Sequence, residues 1–344
     1  PKYLKPNSKT NLIFVKTNFN FKNGFIWISV SEDLYIRGKR LKLCPIPKYL
    51  EGVAFSDIKQ LEIKPSYGSY ELHITYDRKA KEANKELKAF FSIDLGMNNL
   101  CTVSSNKTKA FIINGRAIKS INQKYNKRIA KAQSKLSKGT YTSKAIDKLW
   151  STRGAKIHSE IHKITDVLVE TVLEHGIDHV VIGYNEGWKQ NINLGKKTNQ
   201  NFVQIPFSKI LQQLEYKLRL NGIEVFLQEE SYTSKCSYLD QEEVKAHTTY
   251  KGKRENRGLF KTSKGIYINA DINGSLNIYR KFLSTIKTTR KEVYDVLSAP
   301  VDTGLVMNPI KISLRTNTSI KDVNTFIRSL STKTFETIKD QNSL

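Results

Sequence analysis

The chain has 344 residues, with 57 Lys+Arg against 32 Asp+Glu and a formal net charge of +25 at pH 7. Cations at that density repel one another unless a polyanion neutralises them, which excludes an ordinary neutral metabolic enzyme and makes nucleic acid, or failing that an anionic membrane surface, the expected partner. With 39% hydrophobic and 10% aromatic residues there is material for real cores, and at roughly 150 residues per domain the length suits about two.

No stretch approaches the roughly 18 consecutive apolar residues of a membrane span, and no secretory leader is visible. Cys44, Cys101 and Cys236 are odd in number and far apart, which argues against a disulfide framework and for a reducing, cytoplasmic setting. The chain opens on Pro1, and its methionines are Met97 and Met307, so an upstream portion is expected.

Residues 1–88 read as short β segments (12–15, 25–30, 34–36, 60–64 and 70–76) separated by turns. The alternation of 71–76 is a period-two pattern, and Asn23-Gly24 and Tyr67-Gly68 are turn dipeptides, so a small β-barrel or sandwich is expected. A lysine-rich linker, 78–88, follows. Strands are then expected at 90–93, 101–104, 110–113, 179–182 and 225–227, with helices between the later ones, which predicts a mixed α/β sheet whose later members are parallel. Ile118, Ile121, Tyr125, Ile129, Ala132 and Leu136 recur in steps of three and four, and a second run from Ile146 to Val172 could return alongside; the spacing predicts a helical hairpin over about 117–175.

That hairpin concentrates the charge. Residues 107–163 hold 15 Lys+Arg against Asp147 and Glu160. Stabilising Glu-to-Lys pairs are nearly absent, so a phosphate-contact surface explains the bias better than a solvated helix face. The expected contacts are Lys119, Lys124, Lys127, Arg128, Lys131, Lys135 and Arg153 in the hairpin, Lys189 beyond it, and Lys251, Lys253, Arg254 and Arg257 in a later loop. Tyr125, Trp188 and Tyr250 interleave with these cations, a pattern suited either to stacking on unpaired bases or to ordinary core packing.

Asp94 follows the apolar strand Phe90-Phe91-Ser92-Ile93. A carboxylate at the end of a buried strand is costly unless a cation or hydrogen-bond donors meet it, so a metal site and a turn or capping role are both open for it alone. Asp271, in Asn269-Ala270-Asp271-Ile272-Asn273-Gly274, stands where a helix begins and reads equally as an N-cap. A strand-end and a helix-start carboxylate can converge on one metal pair. The segment Asp94-Leu95-Gly96 also resembles the first phosphate loop of actin-like ATPases, but the second glycine-rich turn those need is not evident in the sequence.

The blocks 92–99, 203–207, Glu229-Glu230-Ser231-Tyr232-Thr233-Ser234-Lys235, Arg257-Gly258-Leu259-Phe260 and 269–274 together resemble the TnpB (OrfB) family of insertion-sequence proteins, RNA-guided DNA endonucleases related to type V CRISPR effectors. The resemblance covers about residues 1–282. It implies a β-barrel wedge domain over 1–88, lacking the usual N-terminal helical part. After it comes an α/β RNase H-like (RuvC) nuclease domain over 89–282 with the inserted basic hairpin and a degenerate zinc-ribbon region over about 233–268. Residues 283–344 are read as a polar C-terminal tail. The implied partners are guide RNA and target DNA in a bacterial or archaeal cytoplasm, near the nucleoid, with no membrane; oligomeric state is left open. Mg²⁺ is the implied cofactor, held as a pair by three carboxylates.

Asp94 and Asp271 match the family's first and third acids. The second departs, because the strand carrying it runs Val180-Val181-Ile182 into Gly183-Tyr184-Asn185-Glu186. Either the nuclease is inactive there, or another acid has moved in. Glu229 and Glu230, ending the neighbouring strand, are the candidates, with Glu230 preferred and Glu186 weaker; alternation allows only one of the pair to face the metals. The family's paired Cys-x-x-Cys ligands are reduced to Cys236, with His247 as one further donor, so no zinc is expected. The readings carried forward are an Mg²⁺-dependent RNA-guided DNA endonuclease, a nuclease-inactive RNA-guided DNA binder or decayed transposase remnant and, more distantly, an actin-like ATPase.

Overall fold

In the computed structural model the described residues are 9–30, 40–83, 87–185, 203–287, 291, 298, 301–314 and 320–330. The expected strand at 34–36, together with Glu186, Trp188 and Lys189, lies outside them. The chain forms two compact units, Pro1–Lys79 with Tyr125–Gly154, and Ala80–Lys124 with Ala155–Leu344.

The first unit contains β1 (Leu12–Val15), β2 (Phe19–Lys22), β3 (Phe25–Ser29), β4 (Arg40–Pro45), β5 (Ile58–Ser66) and β6 (Ser69–Tyr76). They make two antiparallel three-stranded sheets, β1-β5-β6 and β2-β3-β4, around a core of Phe19, Ile26, Ile28, Leu50, Ile58 and Leu61. The expected barrel is thus two small sheets sharing one core, with no strand pairing between them among the described residues. The hairpin β2–β3 turns at Asn23-Gly24, where both residues take positive φ (51° and 75°), the geometry a two-residue hairpin requires and Asn-Gly tolerates best.

The predicted helical hairpin is α1 (Arg116–Gln133) and α2 (Lys144–Glu174). Ile118, Tyr125, Ile129, Ile146 and Ile161 are buried along it, as the three-four spacing requires. Its distal part clusters with the first unit rather than the second, a difference from the expected division. There Tyr67 stacks on Trp150 with ring centroids 6.2 Å apart, and Arg153 lies over the same indole. Buried Tyr125 and stacked Trp150 are therefore packing aromatics.

The second unit is built on a six-stranded sheet from β7 (Phe90–Leu95), β8 (Asn99–Ser105), β9 (Phe111–Asn114), β10 (His179–Tyr184), β11 (Glu224–Glu229) and, from the C-terminal segment, β15 (Ile310–Ile312). The order is β11-β10-β7-β8-β9-β15; β7, β8 and β9 form an antiparallel meander, while β10, β11 and β15 each run parallel to their inner neighbour. The strands are apolar on both faces because both are covered. Phe91, Ile93, Val103 and Ile182 pack with α2 and α3 (Phe207–Leu220), and Phe90, Ile112 and Val181 with α4 (Ala270–Ile286). Between β11 and α4 lies a small antiparallel sheet of β12 (Lys253–Asn256), β13 (Leu259–Lys261) and β14 (Tyr267–Asn269).

Two details fix this frame. The Ser92 hydroxyl donates to the Ser275 carbonyl at 2.6 Å and the Ser275 hydroxyl to the Ser92 carbonyl at 2.8 Å, tying α4 to the centre of β7. At the other end of the sheet Asp178 accepts the N–H groups of Lys88 and Ala89 at 2.8 and 2.7 Å, which anchors the chain as it enters β7.

The expectation of a polar tail after residue 282 is corrected. The helix α4 runs to Ile286, and beyond it follow α5 (Thr303–Val306), β15 and α6 (Ile320–Ser329), with Val306, Leu314 and Leu330 buried. The alternation of Ile310-Lys311-Ile312 is only three residues long and its flanks are polar, so the pattern is diluted until β9 supplies the ladder that makes it a strand.

Candidate active site

Asp94 occupies the end of β7, opposite Thr102 of β8. Asp271 stands in the first turn of α4, and the cap of that helix is Asn269, whose side-chain oxygen accepts the N–H groups of Asp271 and Ile272 at 3.0 and 3.2 Å. Relieved of capping, the Asp271 carboxylate takes other partners. Asn99 donates its amide to Oδ2 at 2.6 Å, and the Arg254 guanidinium donates to Oδ1 at 3.1 Å.

Gly274, in the same helix, lets α4 approach Asp94, since a Cβ there would stand 3.0 Å from Asp94 Oδ2. Burial, then the neighbouring Asp271 charge, push the Asp94 carboxyl up to about 7, with Arg254 partly offsetting them. Two carboxyl groups drawn together in this way call for a cation.

At the expected place of the second acid, Gly183 stands in β10 beside the strand of Asp94, one residue beyond the pair Ile182 and Ile93. A Cβ on Gly183 would overlap Glu230 Oε1 and lie 2.6 Å from Ile278 Cδ1, so the Glu230 carboxylate fills the space that a side chain at 183 would take. Asn185 holds it there from both sides: its amide donates to Glu230 Oε2 at 2.9 Å, and its carbonyl oxygen accepts the Glu230 N–H at 3.2 Å.

Glu229 goes elsewhere. Its carboxylate accepts from the Ser231 N–H and hydroxyl, both at 2.6 Å, and from Lys281 Nζ on α4. Burial works to raise the Glu229 carboxyl, but the bonds from Lys281 and Ser231 outweigh it and the group titrates below the ordinary carboxylate range. Of the two candidate glutamates, Glu229 is thus turned away to a surface ion pair.

Asp94, Asp271, Asn98, Asn99, Thr102, Arg254, Arg257 and Lys311 line one cavity of about 450 Å³. Its donors to a cation are carboxylate and amide oxygens, with no thiolate or imidazole among them, a set suited to a hard ion such as Mg²⁺. Among the described residues no three carboxylate, imidazole or thiolate groups stand within reach of a single ion, so Glu230 does not complete a three-ligand set with the acidic pair.

The predicted cations separate into groups. Arg254 and Arg257 line the cavity, and Lys119 reaches it through a hydrogen bond to Asn98. Lys124, Lys127, Arg128 and Lys131 are exposed on α1, Lys135 is exposed just beyond its end, and Arg153 is half-buried over Trp150. Lys253 is exposed, whereas Lys251 is tied down, its N–H to Glu242 at 2.9 Å and its ammonium to the Asp240 carbonyl at 3.3 Å. In the region expected to be a degenerate zinc ribbon Cys236 is buried, its thiol donating to the Lys245 carbonyl, and Asn273 and Asn277 donate to the Cys236 carbonyl at 2.9 and 2.7 Å.

Asn99, Asn185 and Lys311 carry no expectation from sequence. Asn99 sits inside a recognised block and Asn185 follows a strand that lacks its acid, which are the signals that could have raised them.

A family model described as a probable transposase, OrfB of the IS605 type, matches residues 73–189, and a second, the TNB domain of Cas12f1-like proteins, matches residues 207–278. The TnpB-like protein ORF457 of Acidianus two-tailed virus is 27% identical over 232 residues, covering 64% of this chain and 47% of that protein. The chain therefore spans about half the length of this curated relative. A Cas12f1–sgRNA–target DNA complex aligns with a TM-score of 0.50 at 15% identity, over 78% of this chain and 58% of that one. The mini-RNA-guided endonuclease CRISPR-Cas_phi3 aligns at 0.45 and 13% identity, over 81% and 58%. The Cas12f1 likeness and the strand order identify the second unit as RNase H-like. Asp94 falls inside the first matched segment and Glu230 and Asp271 inside the second, and together these matches show a chain similar to the TnpB (OrfB) proteins.

Proposed function

We propose that this protein is a transposon-associated, RNA-guided DNA endonuclease in which Asp94, Asp271 and a relocated glutamate, Glu230, hold two Mg²⁺ ions. The observation that carries this reading is the Glu230 carboxylate standing over Gly183, on the strand beside Asp94. Bound there, the metal pair would lower the pKa of an attacking water and neutralise charge on the leaving oxygen. The chain's own residues do the rest. Asn99 and Arg254 orient the Asp271 carboxylate, Asn185 orients Glu230, and Arg257 and Lys119 offer positive charge to the phosphodiester. The exposed cations of α1 suit a nucleic-acid backbone, while base pairing with a guide RNA would supply sequence choice.

Plasmid cleavage with Mg²⁺ and the cognate guide RNA tests the proposal. Asp94→Ala, Asp271→Ala and Glu230→Ala are expected to abolish cleavage, and Glu229→Ala to retain it. Cleavage that survives Glu230→Ala would overturn the relocation. A second reading, a nuclease-inactive RNA-guided DNA binder, draws on Gly183 and on the absence of a three-ligand cluster among the described residues. Guide-dependent binding without cleavage under any divalent ion would establish it instead.

A further inference from the structure

Lys311 lines the acidic cavity from a segment that neither family match reaches, since the second ends at residue 278. Its position follows from register. Asp94 pairs with Thr102, Thr102 with Ile112, and Ile112 with Lys311, so the four residues form one row across β7, β8, β9 and β15. Residues paired across strands share a face, while their chain neighbours take the other. Ile310 and Ile312 accordingly pack against the core shared with α2 and α3, and Lys311 is left exposed on the face of Asp94.

Three strand spacings put the two ends of the row about 14 Å apart. Asp271 takes Arg254 as its ion-pair partner, and among the described residues no ion pair ties the Lys311 ammonium to the acids or elsewhere. We propose that Lys311 forms a phosphate subsite of this cavity, taking a phosphodiester of the same strand whose neighbouring linkage lies at the acids. The inference rests on the nuclease reading above. An ammonium on a flexible stem suits the task, because it meets a phosphate as a point charge without demanding one orientation. The C-terminal strand thereby extends the cavity along the path of the nucleic acid.

A lysine on an edge strand also deters pairing with another chain, a role that any charge fills. Glutamate at this position therefore separates the two explanations. The test uses the full chain with Mg²⁺, guide RNA and target DNA carrying a single neutral methylphosphonate, moved one linkage at a time away from the cleaved bond. In the wild type, one linkage near that bond is expected to raise KM roughly tenfold when neutralised, the order of one charge-assisted hydrogen bond. Lys311→Ala should show the same rise on unmodified DNA with kcat unchanged, and no further response at that linkage. Lys311→Glu should be worse, and Lys311→Arg should recover. The salt dependence of target binding should become shallower by about 0.7–0.9 in log–log slope for the lost phosphate contact.

The subsite is overturned if Lys311→Ala and Lys311→Glu match the wild type in KM and salt slope, or if Lys311→Ala keeps the response to the same methylphosphonate. Should the wild type bind target without cleaving it, the nuclease reading fails by itself. An unchanged binding slope in Lys311→Ala would then overturn the subsite separately.

Discussion

Replacing Asp94 by Asn should stabilise the metal-free protein at neutral and alkaline pH. In the folded chain the Asp94 carboxyl is raised from 3.8 to about 7, by burial and then by Asp271. A folded pKa above the unfolded one means that the folded state binds more protons between those values, so stability falls as pH rises through the window from about 4 to 7 and levels off above it. At about 1.4 kcal/mol per unit, the shift corresponds to a penalty of at most ~4 kcal/mol at pH 8. Asn is nearly isosteric and does not titrate, so Asp94→Asn removes the penalty and flattens the pH profile. Mg²⁺ should act on the wild type alone, because binding to the folded state contributes about 2.7 kcal/mol at one hundred times Kd. Urea unfolding of both proteins at pH 5 and pH 8, each with EDTA and with Mg²⁺, reads these effects. The reasoning is refuted if Asp94→Asn is the less stable protein at pH 8 in EDTA, or if the two proteins share one pH slope.

Gly183→Ala should drive the Glu230 carboxylate from its place, lowering cleavage at least tenfold with a stability loss of about 1–3 kcal/mol, measured by cleavage rate and urea melt. Asn185→Ala leaves Glu230 without both of its amide contacts and should cost about 1–3 kcal/mol while raising the Mg²⁺ concentration for half-maximal cleavage; an unchanged Mg²⁺ requirement would deny it a positioning role. Lys124, Lys127, Lys131 and Lys135 changed together to Ala should reduce the salt slope of nucleic-acid binding by up to about 3.6, at roughly 0.7–0.9 per phosphate lost, and an unchanged slope would remove α1 from the interface.

Much of this was legible because it rests on local patterns. The strands β7 to β11 announce themselves by continuous apolar runs, and the hairpin by its three-four spacing, since both patterns follow from which faces are covered. Asn23-Gly24 fixed a turn through its own backbone preferences. What stayed hidden depended on contacts distant in sequence. The strand β15 is three residues long and exists through its ladder to β9, and the sharing of the hairpin between units depends on packing such as Tyr67 on Trp150. The sequence of Glu229-Glu230 allowed one inward residue without saying which. Lys281, 51 and 52 positions further on, draws Glu229 outward, while Asn185 across the sheet draws Glu230 inward.

The proposed relocation of an acid from β10 to the end of β11 is chemically conservative for a reason the register makes plain. The two strands are parallel neighbours, with Gly183 beside Gln228, so their ends lie one strand spacing apart, about 4.8 Å. A glutamate two residues beyond Gln228 spans that gap with its own side chain, provided nothing occupies the space above position 183. Glycine there is thus half of the arrangement, and Asn185 is the other half, because a carboxylate reaching across a strand end has more freedom than one projecting from its own strand. The amide replaces the constraint that the shorter path would have given. In the proposed site the glycine at 183 and the asparagine two residues later therefore work together, the one leaving the space open and the other fixing the Glu230 carboxylate within it.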